Sequence, residues 1–224
     1  MMTRLLFIIM LSILSIQGWT QRHKEFQIRL GAGVGGYNTT TELKYTVNSL
    51  GYPVKGHYSD NGGASTVHFP LELRYEISER FNVGLDTRFG TYLYENNGNN
   101  AQSNRFRYMG LGVELTLMNR ENSRLYLGAG VGSTYLEMRE KIGTGWLSDE
   151  VKIKWRGPGY KMNLGFIKFF GTGPVGINFN VGVIAHSFNL KGVELTGIPL
   201  NLLNGTLNAA ALDLNVGIVF RIPQ

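Results

Sequence analysis

Between residues 81 and 93 the chain sets Phe81, Val83, Leu85, Thr87, Phe89, Thr91 and Leu93 at every second position, with Asn82, Gly84, Asp86, Arg88 and Gly90 between them. Side chains alternate across a β-strand, so this run carries one apolar and one polar face. The last segment repeats it, Leu212, Leu214, Val216, Ile218, Phe220 and Ile222 standing against Asp213, Asn215, Gly217 and Arg221. Segments of this kind fall at roughly 26–37, 65–77, 81–93, 105–117, 124–136, 159–170, 175–187 and 210–222. They predict eight strands, each able at about 3.3 Å per residue to cross a bilayer core even when tilted.

The connections are lopsided. Residues 78–80, 119–123 and 171–174 make tight turns, whereas 38–64, 94–104, 137–158 and 188–209 read as long loops. Short turns on one rim and long loops on the other predict an all-β, eight-stranded antiparallel up-and-down transmembrane β-barrel. Turns would then face the periplasm, loops the exterior, and an even strand count puts both termini on the turn side. Hydrophobic residues make up 43% of the chain, an ordinary value that fits alternating strands.

Alternation does not say which face points inward, because a soluble ligand-binding barrel is apolar inside and a membrane barrel is inverted. Glycine decides. Gly31, Gly33, Gly35, Gly84, Gly90, Gly110, Gly112, Gly128, Gly130, Gly132, Gly165, Gly176, Gly182 and Gly217 all fall on the polar face. Glycine weakens a strand and sits where space is short, as on the concave inside of a small barrel. The apolar face carries aromatics toward its strand ends, at Phe26, Tyr75, Phe81, Phe170 and Phe220, as membrane-interface girdles would.

The N-terminus reads as an address. Arg4 precedes a run from Leu5 to Ile16 that is apolar but for Ser12 and Ser15, followed by Gln17, Gly18, Trp19 and Thr20. This is the order of a secretory signal, so residues 1–20 are expected to be a cleaved leader and 21–224 the barrel. The chain has no cysteine, which excludes disulfides, thiolate metal sites and lipid attachment through sulfur. Formal net charge is +6, or +5 without Arg4, and it is spread along the chain rather than gathered as nucleic-acid binding requires.

Two stretches carry a family likeness. Leu30-Gly31-Ala32-Gly33-Val34-Gly35 recurs as Leu127-Gly128-Ala129-Gly130-Val131-Gly132, and neither copy leads into a helix as a nucleotide-binding loop would. The C-terminal Asn215, Gly217, Phe220 and Ile222 fit the polar, glycine and aromatic spacing of a barrel-assembly signal, although Ile222 replaces the last aromatic and Pro223-Gln224 follow. With these features the mature chain resembles the small outer-membrane barrels of the PorT-like and OmpA/OmpX-like families, especially those common in Bacteroidetes. The resemblance implies an outer-membrane location, contact with lipid, lipopolysaccharide and the barrel-assembly machinery, and little about activity.

On the polar face, Glu72, Glu76, Asp86, Glu114 and Asp213 oppose Arg29, Arg74, Arg88, Lys161 and Arg221. In the hairpin of strands two and three, Ser78 opposite Asn82 would set Arg74 against Asp86 and Glu72 against Arg88. Ile77 opposite Phe81 would make the same contacts diagonally. Glu72, Arg74, Asp86, Arg88 and Glu114 are therefore the expected lumen network. It reads as structural filling, with a narrow ion path as the alternative. His57 and His68 have no evident partners in sequence, and His186-Ser187 resembles a lipid A deacylase pair only loosely, since adjacent strand residues point to opposite faces. No catalytic, metal-binding or cofactor-binding set emerges. Arg105 and Arg107, with Lys152, Lys154 and Arg156 of the third loop, could meet lipopolysaccharide phosphates, and Trp146 and Trp155 in that loop could anchor a partner. The expected role is non-enzymatic: a scaffold, an adhesion or interaction barrel, or an accessory of a secretion or assembly machine with a protein partner. N-terminal sequencing of the membrane-extracted protein should begin near Gln21; a chain retaining Leu5 to Ile16 would remove the export reading.

Overall fold

A computed structural model describes residues 24–49, 52–94, 103–142, 149–195 and 201–223. The expected leader lies outside these residues. The strands are β1 (Glu25–Ser49), β2 (Tyr52–Ser78), β3 (Phe81–Tyr94), β4 (Ser103–Arg120), β5 (Ser123–Ile142), β6 (Asp149–Phe169), β7 (Val175–Leu195) and β8 (Asn201–Pro223). Each pairs antiparallel with its neighbours in sequence, and β8 pairs with β1 to close the barrel. Closure leaves no sheet edge, so the ladders satisfy the backbone within the wall.

The glycine argument holds. Gly33, Gly35, Gly112, Gly128, Gly165, Gly176 and Gly182 are buried on the inner face. The opposite face carries large apolar side chains in the open, with Met109 64%, Leu111 65% and Leu212 69% exposed. Such a surface is inverted relative to a soluble barrel.

The strands are much longer than sequence alternation indicated: the expected loops 38–64, 137–158 and 188–209 are mostly strand, and most of 94–104 lies outside the described residues. β1 alone has 25 residues and β2 has 27, a contour of roughly 80 Å against a hydrocarbon core of about 30 Å. The reason is that the pattern changes sense along each strand while its period stays at two. On β8, Asp213 and Asn215 face in while Leu212, Leu214 and Val216 face out; farther toward the loop end, Leu207, Ala209 and Ala211 face in while Thr206 and Asn208 face out. β7 changes likewise, from inward Asn178 and Asn180 to inward Ile184, His186 and Phe188, with Ser187, Asn189 and Lys191 outside. Each strand is membrane-like near the turns and soluble-like beyond.

Two irregularities matter on β6 and β7. Trp155 pairs with Leu190 and Lys154 with Gly192, so Lys191 is an extra residue at a bulge. The same ladder has partners at Arg156–Asn189 and resumes at Gly159–His186, leaving a break at Pro158, which has no N–H to donate. At the other rim the β6–β7 turn uses Gly171 at φ 61°, a left-handed conformation that glycine adopts without strain.

Closure depends on a close approach of β1 and β8. Gly31 faces Gly217 in register, and a Cβ added to Gly217 would stand 2.9 Å from the Gly31 Cα. Gly217→Val should therefore force the seam apart. The expected outcome is loss of the compact band in unboiled SDS gels, and an unchanged heat shift would remove this account of closure.

Candidate functional site

The bore holds a lattice of charges drawn from opposite sides of the ring. Arg29 on β1 forms a two-pronged pair with Glu114 on β4, Nη1 to Oε1 at 2.6 Å and Nη2 to Oε2 at 2.8 Å. Arg74 on β2 donates through Nε to the same Glu114 Oε1 at 2.7 Å, pairs with Asp86 on β3, and lies 3.3 Å from Glu72. Lys161 on β6 completes the set, 2.9 Å from Glu72 and 2.8 Å from Asp86. β6 stands four places round the ring from β2, so the Lys161–Glu72 contact crosses the bore. Glu72, Asp86 and Glu114 balance Arg29, Arg74 and Lys161, and all six are buried.

Glycines make the room. A Cβ on Gly112 would stand 3.2 Å from Arg74 Nη2, and one on Gly130 3.0 Å from Lys161 Cε. The repeated glycine motif on β5 thus admits side chains that reach across from other strands.

A second cluster lies beside the first. Arg88 Nη1 meets Asp213 Oδ2 at 2.5 Å, and Asn215 Nδ2 donates to Asp213 at 2.7 Å and to Asn180 at 2.8 Å. His68 Nε2 meets Asn215 Oδ1 at 2.7 Å, which puts the proton on Nε2. Toward the turns, Tyr126 lies under the Arg29 guanidinium at 4.7 Å and donates to Asn178 at 3.0 Å, and Arg124 reaches Glu25 and Glu76 at 3.4 and 3.3 Å. Toward the loops the bore turns aromatic. Tyr37 and Tyr92 have ring centroids 4.8 Å apart, Tyr92 and Phe106 5.1 Å, and His186 stands 5.3 Å from Phe106 and 5.5 Å from Phe188. Leu136, Trp155, Ile184 and Leu207 pack into the same cluster. A void bounded by Arg29, Glu72, Pro70 and Asn180 is about 10 Å³, room for one water at most. A larger concavity, about 630 Å³, lies on the outer apolar wall around Leu164, Phe179, Leu214 and Val34.

Glu72, Arg74, Asp86, Arg88 and Glu114 all lie in the bore, and of the two expected pairings Arg74–Asp86 forms and Glu72–Arg88 does not. Glu76 pairs with Asn82 and Glu72 with Asp86, after a register shift next to Ser78. This is the Ile77–Phe81 register, and Arg74 meets Asp86 diagonally. Glu72 turns to Lys161 instead of Arg88, because Asp213 of β8 takes Arg88. Arg221 is not in the lattice: it caps the Thr172 and Gly173 carbonyls and stacks over Phe169 at 4.3 Å. His68, with no evident partner in sequence, has two. Arg124, Asn180 and Tyr126 were missed, although their parity on β5 and β7 places them with the inward glycines.

Trp155 is buried inside the barrel at 1% exposure, so it is no surface anchor, and Trp146 lies outside the described residues. Lys152, Lys154 and Arg156 belong to β6, not to a loop. His186 is buried and its neighbour Ser187 is exposed on the other face, so the two cannot act on one substrate. Of the C-terminal stretch, Asn215 and Gly217 face inward, and Phe220 and Ile222 outward.

No family model matches this chain, and no curated protein does. Solved structures do match. The outer membrane protein OprG from Pseudomonas aeruginosa superposes with a TM-score of 0.56 at 14% identity, over 90% of this chain and 97% of that one. The fold is that of an outer-membrane β-barrel. The outer membrane protein AlkL gives 0.45 at 15% identity, over 87% and 91%. Ail of Yersinia pestis gives 0.37 at 12%, over 89% and 100%. At these identities the likeness is one of fold.

Arg74 touches three carboxylates, so Arg74→Ala should lower the unfolding midpoint in detergent, by a free energy on the order of 3–5 kcal/mol before lumen water softens it. Adding Asp86→Ala should cost less than the sum of the single changes. Additive small effects would mean that the lattice does not hold the wall together.

Proposed function

We propose that this chain is an outer-membrane protein with a sealed bore, acting as a membrane-embedded scaffold or interaction barrel, or as an accessory of a secretion or assembly machine. The observation that carries the reading is the filled interior, a balanced charge lattice below an aromatic layer. An eight-stranded barrel has room for little more than its own side chains, and here they meet across the full width. A narrow pore would need a continuous wet path, and the contacts of Lys161 with Glu72 and of His186 with Phe106 lie across any such path.

Location follows from the outer wall. Exposed Leu111, Val131, Tyr160 and Met162 form rows that water would not tolerate at this density. The change of pattern above them gives the level at which solvent begins. Turns and termini then lie in the periplasm, and the strand extensions stand above the outer leaflet as the surface offered to partners. The outward Phe220 and Ile222, with inward Asn215 and Gly217, support recognition of the last strand by the barrel-assembly machinery. Kinship to PorT-like barrels rests on that stretch and on the glycine repeats.

Purified protein in planar bilayers should conduct no more than the bare membrane, and a reproducible single-channel conductance would replace the scaffold with a pore. On intact cells, epitope tags within 96–101, 144–147 or 197–199 should bind antibody, while tags at Glu79 or Asn122 should do so only after permeabilisation. The reverse pattern would invert the topology.

A further inference from the structure

The lumen charges cancel, so the positive surplus of the described residues lies on the outside of the wall. Part of it is gathered where the wall changes from apolar to polar. Across the outer face of β4 to β7 the registers align Leu111, Val131, Tyr160 and Ala185 in one row. Two rows higher, Arg107 pairs with Tyr135, Tyr135 with Arg156, and Arg156 with Asn189. Arg105 and Lys154 stand in the next row, on either side of Glu137. Arg105, Arg107, Arg156 and Lys191 are exposed.

The acids nearby do not consume this charge. Glu137 is held by Arg139, whose Nε and Nη2 donate to it at 2.8 and 2.7 Å, and by Tyr135 at 3.2 Å. Among the described residues, no carboxylate pairs with Arg107, Arg156 or Lys191. Among the described residues, Arg156 donates through Nε to the Ser133 hydroxyl at 3.4 Å. The wall is also indented here. Lys191, the extra residue at the β7 bulge, is exposed beside Asn189, and the β6–β7 ladder lacks pairs at Gly157 and Pro158. A concavity of about 400 Å³ lies on the wall here, lined by Ser133, Arg156, Pro158, Asn189 and Lys191.

We infer that this indentation, with Arg107, Arg156 and Lys191 around it, holds the phosphorylated headgroup of an acylated glycolipid of the lipid A type. The cations project sideways from the wall, directly above rows that face hydrocarbon, so their ligand must carry anions at this level and acyl chains below it. Arginine forks match phosphate oxygens in pairs. From β4 to β7 the cations span three strand spacings, roughly 14 Å, wider than one phospholipid phosphate and suited to a headgroup with phosphates at two ends. Tyr135 between Arg107 and Arg156, and Tyr160 two rows below, are the amphipathic rings expected at such a boundary. The inference rests on the outer-membrane reading above, with the loop ends outside.

The test is native mass spectrometry of the full chain released from nanodiscs. These contain diphosphorylated lipid A, the same glycolipid with its phosphates removed, or phosphatidylglycerol. The wild type should retain the diphosphorylated form over the other two, and inorganic phosphate alone should leave no adduct. Arg107→Gln with Arg156→Gln and Lys191→Gln should reduce that retention by about tenfold or more, the scale of losing several charge-assisted hydrogen bonds. Lys44→Gln should leave it unchanged. Equal retention of the dephosphorylated glycolipid or of phosphatidylglycerol overturns the inference, as does a phosphate adduct without lipid, or a folded triple variant that retains lipid A. The lipid comparison on the wild type needs no variant. A barrel that does not enter nanodiscs at all would instead overturn the outer-membrane reading itself.

Discussion

Arg74 holds three carboxylates from three positions of the wall, and the rest of the barrel is arranged so that it can. A guanidinium and carboxylates inside a narrow bore lose most of their water, a cost of several kcal/mol per ion that only close pairing and added hydrogen bonds offset. Glu114 accepts from both Arg29 and Arg74, and Lys161 bridges Glu72 and Asp86. Removing any member leaves an unmatched charge where little water reaches it. The glycines at 112 and 130 belong to the same arrangement, because a side chain at either would crowd Asp86 together with Arg74 or Lys161. Small residues on the wall and long ions in the bore are two halves of one packing solution.

The change of pattern along the strands has an equally simple cause. A strand in the membrane must face apolar chains outward, and beyond the membrane the same face meets water. The inner face changes as well, from ions to Tyr92, Phe106, Trp155 and Phe188. Above the membrane there is an ordinary hydrophobic reason to fill the bore with apolar side chains, since their alternative is solvent. Within it there is none, because lipid would serve them as well, and specific polar contacts hold the interior instead. One chain thus folds by two rules, stacked end to end.

Strand number, order, closure and the direction of the faces were legible in the sequence, because alternation and glycine parity are local properties. Strand length was not. At Leu207, Trp155 and Phe188 the apolar residues keep the inward parity that carried polar groups below, and reading apolar as outward turns each extension into a loop. The members of the charge lattice were legible for the same reason as the faces. Of their partnerships only the hairpin pair Arg74–Asp86 was, because Lys161 to Glu72 and Arg88 to Asp213 cross the ring, and nothing in a single strand or hairpin encodes which opposite wall a side chain reaches. The shift beside Ser78 shows the limit at its smallest: one residue taken up in a turn decides whether Arg74 lies opposite Asp86 or diagonal to it.

The sealed interior and the charged exterior bear on each other. Cations held on a mobile loop must lose conformational freedom when they bind an anion, and long side chains lose the most. Arg107 and Arg156 instead extend from strands whose inner faces are locked by Phe106, Tyr108 and Trp155. Their Cα positions are set before any ligand arrives, which reduces the ordering cost that binding must overcome. On the scaffold reading proposed above, a bore packed this tightly gives up conduction and provides a stiff outer wall, so that recognition falls to that wall and to its loop-side rim.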